Sequence, residues 1–448
     1  MLMITVFRDL VQDWEDRHWL RRIRREVSPR YEVAAVAKKF KGRQPLLFDH
    51  VQGIGRPVVI GMGGDRTLMA ESMGISSDDL IAHLMQAIVH PIATQRVAQA
   101  PVQETIVYPP FDVGHVVPGL IYHGRDSGPY YVAGVMVVKS PDGTKQYTSV
   151  RRMQILPGNR INVVITSPEL FRQFRSFEEA GRPMEIAVMF GVVPAVILSS
   201  QLATHLFHVD KLSVAGGLLG QALPTVHCKT VDLDVLADAE CVLEGVMLPG
   251  VRELEGPFGE LGGYYSQRGL HPVAEIRAVT HRRDFMIHTV MPASYEERLP
   301  MVLNREVVLL QTVRQVVPNV TGVHITMGGV GRFHAVIAVA KENPGDGTEA
   351  ALAAFASDKD LKHVVVVNDD IDIFDPEDVE WAIATRVQAD QDLFIVPGAK
   401  GSPLEASHHL HQTTAKVGID ATYPLDQADL FQRTSVPGEA NLNLSDYL

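Results

Sequence analysis

The stretch from residue 130 to residue 165 constrains the fold most. Tyr130-Tyr131-Val132-Ala133-Gly134-Val135-Met136-Val137-Val138 is rich in β-branched and aromatic side chains and runs into Pro141-Asp142-Gly143, a strong hairpin signal. A partner strand continues through 147–156, and Pro157-Gly158-Asn159 turns the chain back into 161–165. Consecutive hairpins of this kind predict an antiparallel barrel. A helix over 168–180 interrupts it, and the hairpins continue through 231–246 and the strand pair 273–280 and 285–291. Upstream, Leu10, Trp14, Trp19, Leu20 and Ile23 give 9–26 a roughly helical spacing, 45–48 and 57–61 read as short strands, and 67–73 begins a helix. Downstream, helices at about 305–316, 347–357 and 377–386 surround strands at 320–327 and 333–340. The expected class is α/β (α+β): an N-terminal α/β segment over 1–115, the barrel domain over 116–304, a linker helix, and a C-terminal α/β domain over 305–448.

Chemistry is concentrated in residues 253–265, Glu-Leu-Glu-Gly-Pro-Phe-Gly-Glu-Leu-Gly-Gly-Tyr-Tyr. Glu255 and Glu260 flank a turn in which Pro257 fixes one φ angle and removes a donor, while Gly256 and Gly259 permit close approach of backbone to a ligand. An arbitrary Glu-Gly-Pro is more often a solvated surface turn. Here Tyr264 and Tyr265 add aromatic bulk, which places the carboxylates beside apolar surface, where a glutamate pKa rises toward the range useful for proton transfer.

Composition narrows the class. With 448 residues, 46% of them hydrophobic, the chain buries a large core. Its 41 basic and 53 acidic residues give a net charge of −12, which disfavours nucleic acid or an anionic membrane as the main partner. Two cysteines, Cys228 and Cys241, make no disulfide framework and no Cys-x-x-Cys motif, which points to a reducing, cytoplasmic compartment. Residues 1–7 are too short for a signal-peptide core, and the longest apolar run, 186–198, is broken by Gly191 and Pro194.

Other constellations are weaker. Gly328-Gly329-Val330-Gly331 precedes a strand, not a helix, and reads as a turn rather than a dinucleotide fingerprint. Gly61-Met62-Gly63-Gly64-Asp65 lacks both Gly-x-Gly-x-x-Gly spacing and a P-loop lysine. The acids of Asn368-Asp369-Asp370-Ile371-Asp372 suit a metal or, equally, a strand end with helix capping.

The Glu-Gly-Pro-Phe-Gly-Glu motif resembles the signature of the UbiD family of decarboxylases, which use prenylated FMN. Leu46-Leu47-Phe48-Asp49-His50-Val51, Arg56-Pro57-Val58-Val59, residues 366–372 and Lys416-Val417-Gly418-Ile419-Asp420-Ala421-Thr422 are similar to further family blocks in the same order. The resemblance implies an antiparallel split-barrel flavin-binding domain and an enzyme that decarboxylates an aromatic, heteroaromatic or α,β-unsaturated acid, reversibly, through a covalent substrate–cofactor adduct. It also implies an Arg-Glu-Glu network of Arg152, Glu255 and Glu260, with Glu260 as proton donor and acceptor. Arg151 competes with Arg152, and a strand's period of two allows only one of them to face the interior; the alignment with the family favours Arg152.

By the same resemblance Tyr147, Thr148, Ser149, Val150, Arg152, Glu169, Leu170, Lys211 and Lys359 are expected at the cofactor. Met291, Pro292, Met301, Val302, His408 and His411 are expected at the substrate. The implied partners are the carboxylic acid, carbon dioxide, a flavin prenyltransferase that supplies the cofactor, and a second copy of the chain. One departure stands out. The family's cofactor phosphate is held through manganese or magnesium, and the ligand positions here are Tyr147, Leu170 and Lys211; a leucine cannot ligate and a lysine brings positive charge. Either Lys211 neutralises the phosphate directly, or another residue such as Asp210 keeps the ion. The altered phosphate site also leaves open a family-like chain that has lost cofactor binding and serves as a structural or regulatory subunit.

Overall fold

The computed structural model describes residues 3–203, 209–408, 413–438, 442–443 and 447. The hairpin stretch forms half a barrel: β1 (Tyr130–Lys139), β2 (Gln146–Ile155) and β3 (Arg160–Val163) pair antiparallel in succession. Gly143 and Gly158 sit at φ +74° and +76° in the connecting turns, where a side chain is disfavoured. β4 (Met184–Phe190), β5 (Cys241–Glu255) and β6 (Gly269–His281) complete the order β5-β4-β1-β2-β3-β6, and β5 pairs with β6 to close the ring. Met136, Met153, Ile161, Ile186, Val188, Leu243 and Ile276 are buried in one core with the N-terminal strands. The pairing of β5 with β6 shifts register between Met247 and Arg252, so Glu253, Leu254 and Glu255 continue as a two-stranded extension whose last pair is Glu255 with Gly269.

Two expectations are corrected around this barrel. Residues 285–291 do not pair with 273–280. Ile287–His288 instead joins Arg21–Ile23, Leu46–Phe48 and Val58–Ile60 in a separate sheet, where Ile287 and Thr289 donate to the carbonyls of Pro57 and Val59 at 2.9 Å. The helix expected over 9–26 is Phe7–Asp16 only, because Trp19 and Leu20 both close back on the Trp14 carbonyl and Arg21–Ile23 then pairs with Leu46–Phe48. A sheet partner outweighs a helical period that continues for another turn.

The chain divides into two compact units, Met1–Val307 with Leu404–Ala406 and Val308–Pro403 with Ser407–Leu448. In the second, the strands Val320–Ile325, His334–Val339, His363–Asn368, Thr413–Ala421 and Leu393–Lys400 lie side by side in that order, with the helices Asp346–Ser357 and Pro376–Arg386. Residues 328–331 form a turn closed onto Thr326 and Met327. The acids of 368–372 are used structurally: Asn368 accepts from Tyr423 and Arg386, and Asp370 pairs with Arg386 at 2.6 Å. Among the described residues no helix is long and apolar enough to cross a membrane.

Candidate active site

Arg152 leaves β2 toward the extension of β5. Its Nη2 donates to Glu255 Oε2 at 3.0 Å and its Nη1 to Glu260 Oε1, so one guanidinium joins both carboxylates of the motif. The two acids differ in surroundings: the Glu255 side chain is fully buried, while that of Glu260 is 25% exposed. The intervening turn is tightly specified. Phe258 N–H donates to Ser266 Oγ at 3.0 Å, Gly259 N–H to Asp126 Oδ1 at 3.0 Å, and Glu260 N–H to the Tyr264 carbonyl at 2.8 Å. A Cβ at Gly259 would stand 2.3 Å from the His123 ring, so only glycine fits there.

The aromatic surface beside the network is not the expected pair of tyrosines. Tyr264 is 65% exposed and Tyr265 38%, whereas the buried Phe258 ring lies 4.7 Å below the Arg152 guanidinium. Burial pushes the Tyr130 phenol up, with the Glu255 carboxylate adding to the effect, so its hydroxyl stays protonated and bonds Ser127 at 2.8 Å. His271 Nε2 is 3.7 Å from Glu255 Oε2, and burial holds its ring below the usual imidazole range.

A further acid, Glu297, went unread in the sequence. It accepts from Ala293 N–H at 2.6 Å and its carboxyl is pushed up to about 7, chiefly by burial, with the Glu260 carboxylate adding to this. The adjacent glutamates 296 and 297 after Met291-Pro292 were the available signal. Met291, Pro292 and Val302 are buried and Met301 is half-buried.

On the other side of β2 lies a cleft of about 510 Å³. Tyr147, Thr148, Ser149, Val150 and Arg151 of β2 line it, with Ser167, Glu169 and Leu170 from the start of the Pro168–Glu179 helix, Ser200 to Ala203, and Lys211. Seven of the residues expected at the cofactor therefore share one cavity, and Arg151 joins them while Arg152 turns to the glutamates. Lys211 is 8% exposed and donates to the Ser200 carbonyl at 3.2 Å. Burial, aided by the Arg151 guanidinium and opposed by Glu169, pulls its ammonium down to about 8. Arg151 is pulled down to about 10 by burial, and bonds Ser149 Oγ at 3.1 Å and Thr166 Oγ1 at 3.5 Å. Asp210 is the N-cap of the Lys211–Leu219 helix, accepting from Leu212 and Ser213 N–H and from the Ser213 hydroxyl.

These residues fit a flavin phosphate. Two buried cations in one cleft repel each other, and a bound dianion removes that penalty. They do not fit a divalent ion: Leu170 offers hydrocarbon, Lys211 offers positive charge, and Asp210 is committed to its cap, which leaves Glu169 as the single carboxylate among the described residues lining the cleft. Among the described residues no three His, Cys, Asp or Glu side chains gather to hold a metal. Lys359 and His408 belong to the second unit, where Lys359 Nζ meets Asp360 at 2.7 Å. His411 lies outside the described residues.

With this geometry established, comparison with known proteins is informative. Residues 94–295 match the family model of the 3-octaprenyl-4-hydroxybenzoate carboxy-lyase Rift-related domain, and residues 11–88 and 299–421 match the N-terminal and C-terminal domain models of the same family. The anhydromevalonate phosphate decarboxylase of Methanothermobacter thermautotrophicus is 35% identical over 414 residues, which is 92% of this chain and 95% of that protein. The gallate decarboxylase of Lactiplantibacillus plantarum is 29% identical over 87% of this chain and 86% of its own. Among solved structures, the UbiD-class enzyme HmfF from Pelotomaculum thermopropionicum, in complex with FMN, superposes with a TM-score of 0.96 at 44% identity, covering 99% of this chain and 100% of HmfF. An evolved dimeric form of HmfF in complex with prFMN gives a TM-score of 0.92 at 43% identity, with the same coverage.

Proposed function

The chain belongs to the UbiD family of carboxy-lyases, and from that membership we propose that it catalyses the reversible, non-oxidative decarboxylation of an aromatic, heteroaromatic or α,β-unsaturated carboxylic acid with prenylated FMN. The observation that carries this reading is the single guanidinium of Arg152 bonded to both Glu255 and Glu260. Loss of carbon dioxide from an sp² carbon leaves an electron pair that no side chain can accept; prenylated FMN, when bound, would supply an electrophilic carbon for the substrate and a conjugated ring system to take up that pair.

The residues of the chain divide the remaining work. Arg152 holds both carboxylates and keeps Phe258 against its face, so the distance between the two acids is fixed before substrate arrives. Glu255, wholly buried, anchors the guanidinium. Glu260, part-exposed at the end of the turn, is the acid that can exchange with solvent. It holds the proton that replaces the departing carboxylate, and in the carboxylation direction it takes that proton back. Glu297, whose carboxyl is pushed up to about 7 chiefly by burial, lies close enough for the Glu260 carboxylate to add to that rise. Met291, Pro292, Met301 and Val302 form the apolar wall of the substrate site. The cofactor is supplied by a flavin prenyltransferase, and the chain works as a homodimer or larger homo-oligomer.

Glu260→Gln tests the reading. It preserves size and polarity while removing the exchangeable proton, so the variant should fold, bind flavin and lose turnover, read as carbon dioxide release and as deuterium exchange at the product carbon. Near-normal turnover in this variant would remove Glu260 from its role. A wild-type chain that binds prenylated flavin but shows neither reaction with any acid of the class would return it to the structural-subunit reading.

A further inference from the structure

Three positive side chains line the cleft along β2, the exposed Arg172 and the more deeply set Arg151 and Lys211, and among the described residues neither Arg151 nor Lys211 has an ion pair. Lys211 bonds a backbone carbonyl, and Arg151 bonds two hydroxyls. Both are forced together from separate elements, a barrel strand and the first turn of a helix. Elsewhere in the same unit half-buried arginines are matched to buried carboxylates: Arg8 with Glu240, Arg152 with Glu255, Arg66 with Glu306. An unmatched pair of cations in one cavity is costly unless something anionic is expected there.

The positions where the resemblance implies metal ligands make the contrast sharper. A divalent ion placed between Tyr147, Leu170 and Lys211 would gain, among the described lining residues, at most the Glu169 carboxylate and would face the Lys211 ammonium and the Arg151 guanidinium. An ammonium supplies a compact charge with three donors, and a guanidinium supplies a planar fork suited to phosphate oxygens. Together they offer the two positive charges and the donors that a metal ion otherwise brings to a phosphate dianion.

Resting on the flavin reading above, we propose that Arg151 and Lys211 form a two-cation seat that holds the 5′-phosphate of the flavin mononucleotide directly, without a divalent cation. The lowered basicity of both groups is the expected companion of such a seat, and phosphate binding should restore it.

The test compares FMN with riboflavin, which lacks only the phosphate, by quenching of flavin fluorescence on the purified chain, with elemental analysis of holoprotein co-expressed with a flavin prenyltransferase. The wild type should prefer FMN, keep that preference in EDTA, and carry no stoichiometric manganese or magnesium. Lys211→Met and Arg151→Met should each weaken FMN binding by about tenfold or more, the worth of a charge-assisted hydrogen bond, and leave riboflavin binding unchanged. Lys211→Arg, which keeps the charge, should retain most of the preference and controls for misfolding, as does an unaltered circular dichroism spectrum. Stoichiometric metal, release of FMN by EDTA, or FMN affinity untouched by both methionine substitutions would overturn the seat while leaving flavin binding in place. Failure of the wild type to bind either flavin would instead overturn both readings.

Discussion

At the scale of single residues, Arg152 matters because it cannot be removed without stranding an acid. Glu255 is fully buried and, among the described residues, Arg152 is its only ion-pair partner apart from the more distant His271. Arg152→Met should therefore cost about 3–5 kcal/mol of stability, the usual penalty for an uncompensated buried charge, measured by urea unfolding. Glu260→Gln, at a part-exposed site, should cost far less. Glu297 gives a second handle. Its folded pKa of about 7 lies above the value near 4.3 of an unfolded glutamate, so the folded state holds this proton where the unfolded chain has released it. The stabilising contribution is then complete below about pH 4 and is lost as pH rises through about 7. Glu297→Gln should flatten that decline in thermal unfolding between about pH 5 and 8; an unchanged slope would assign it to another group. Glu255 and Glu260 were legible because their spacing and turn chemistry lie within one short segment, whereas Arg152 was taken from the family resemblance, the strand's period of two leaving Arg151 as its competitor. Glu297 and the place of the Phe258 ring were not legible, since their relation to the site depends on where a helix starts and which way a strand faces.

At the scale of elements, the N-cap of the Lys211–Leu219 helix links stability to binding. Asp210→Ala should cost about 1 kcal/mol and also weaken FMN binding, because the cap fixes the turn that aims Lys211; riboflavin titrations distinguish this from general loosening. Strand and helix types were legible wherever pattern and punctuation agreed, as in the hairpins of β1 to β3. Where they disagreed, tertiary partners decided. The helix expected from about residue 305 begins at Tyr295 and runs through Pro300, whose carbonyl accepts from Asn304 Nδ2 at 2.7 Å. A proline removes one intrahelical donor, but Leu299, Val302, Leu303 and Val307 are all buried, which anchors the helix on either side of Pro300.

At the scale of the whole molecule, Leu393–Lys400 is the last strand of the second unit's sheet among the described residues, and Ile395 on it is 67% exposed. An unprotected edge of this kind suits a second copy of the chain. Light scattering should report a dimer or larger assembly at micromolar concentration, and Ile395→Lys should shift it toward monomer without loss of helical signal. Barrel closure has a temporal consequence. Arg152 and Glu255 are 103 residues apart in the chain, and they meet only once β5 has found β6 and sealed the ring. Contacts so distant along the chain form late. During refolding, strand content should return first and any decarboxylase turnover last, so the network of Arg152, Glu255 and Glu260 acts as a clock hand that moves only when the ring has shut.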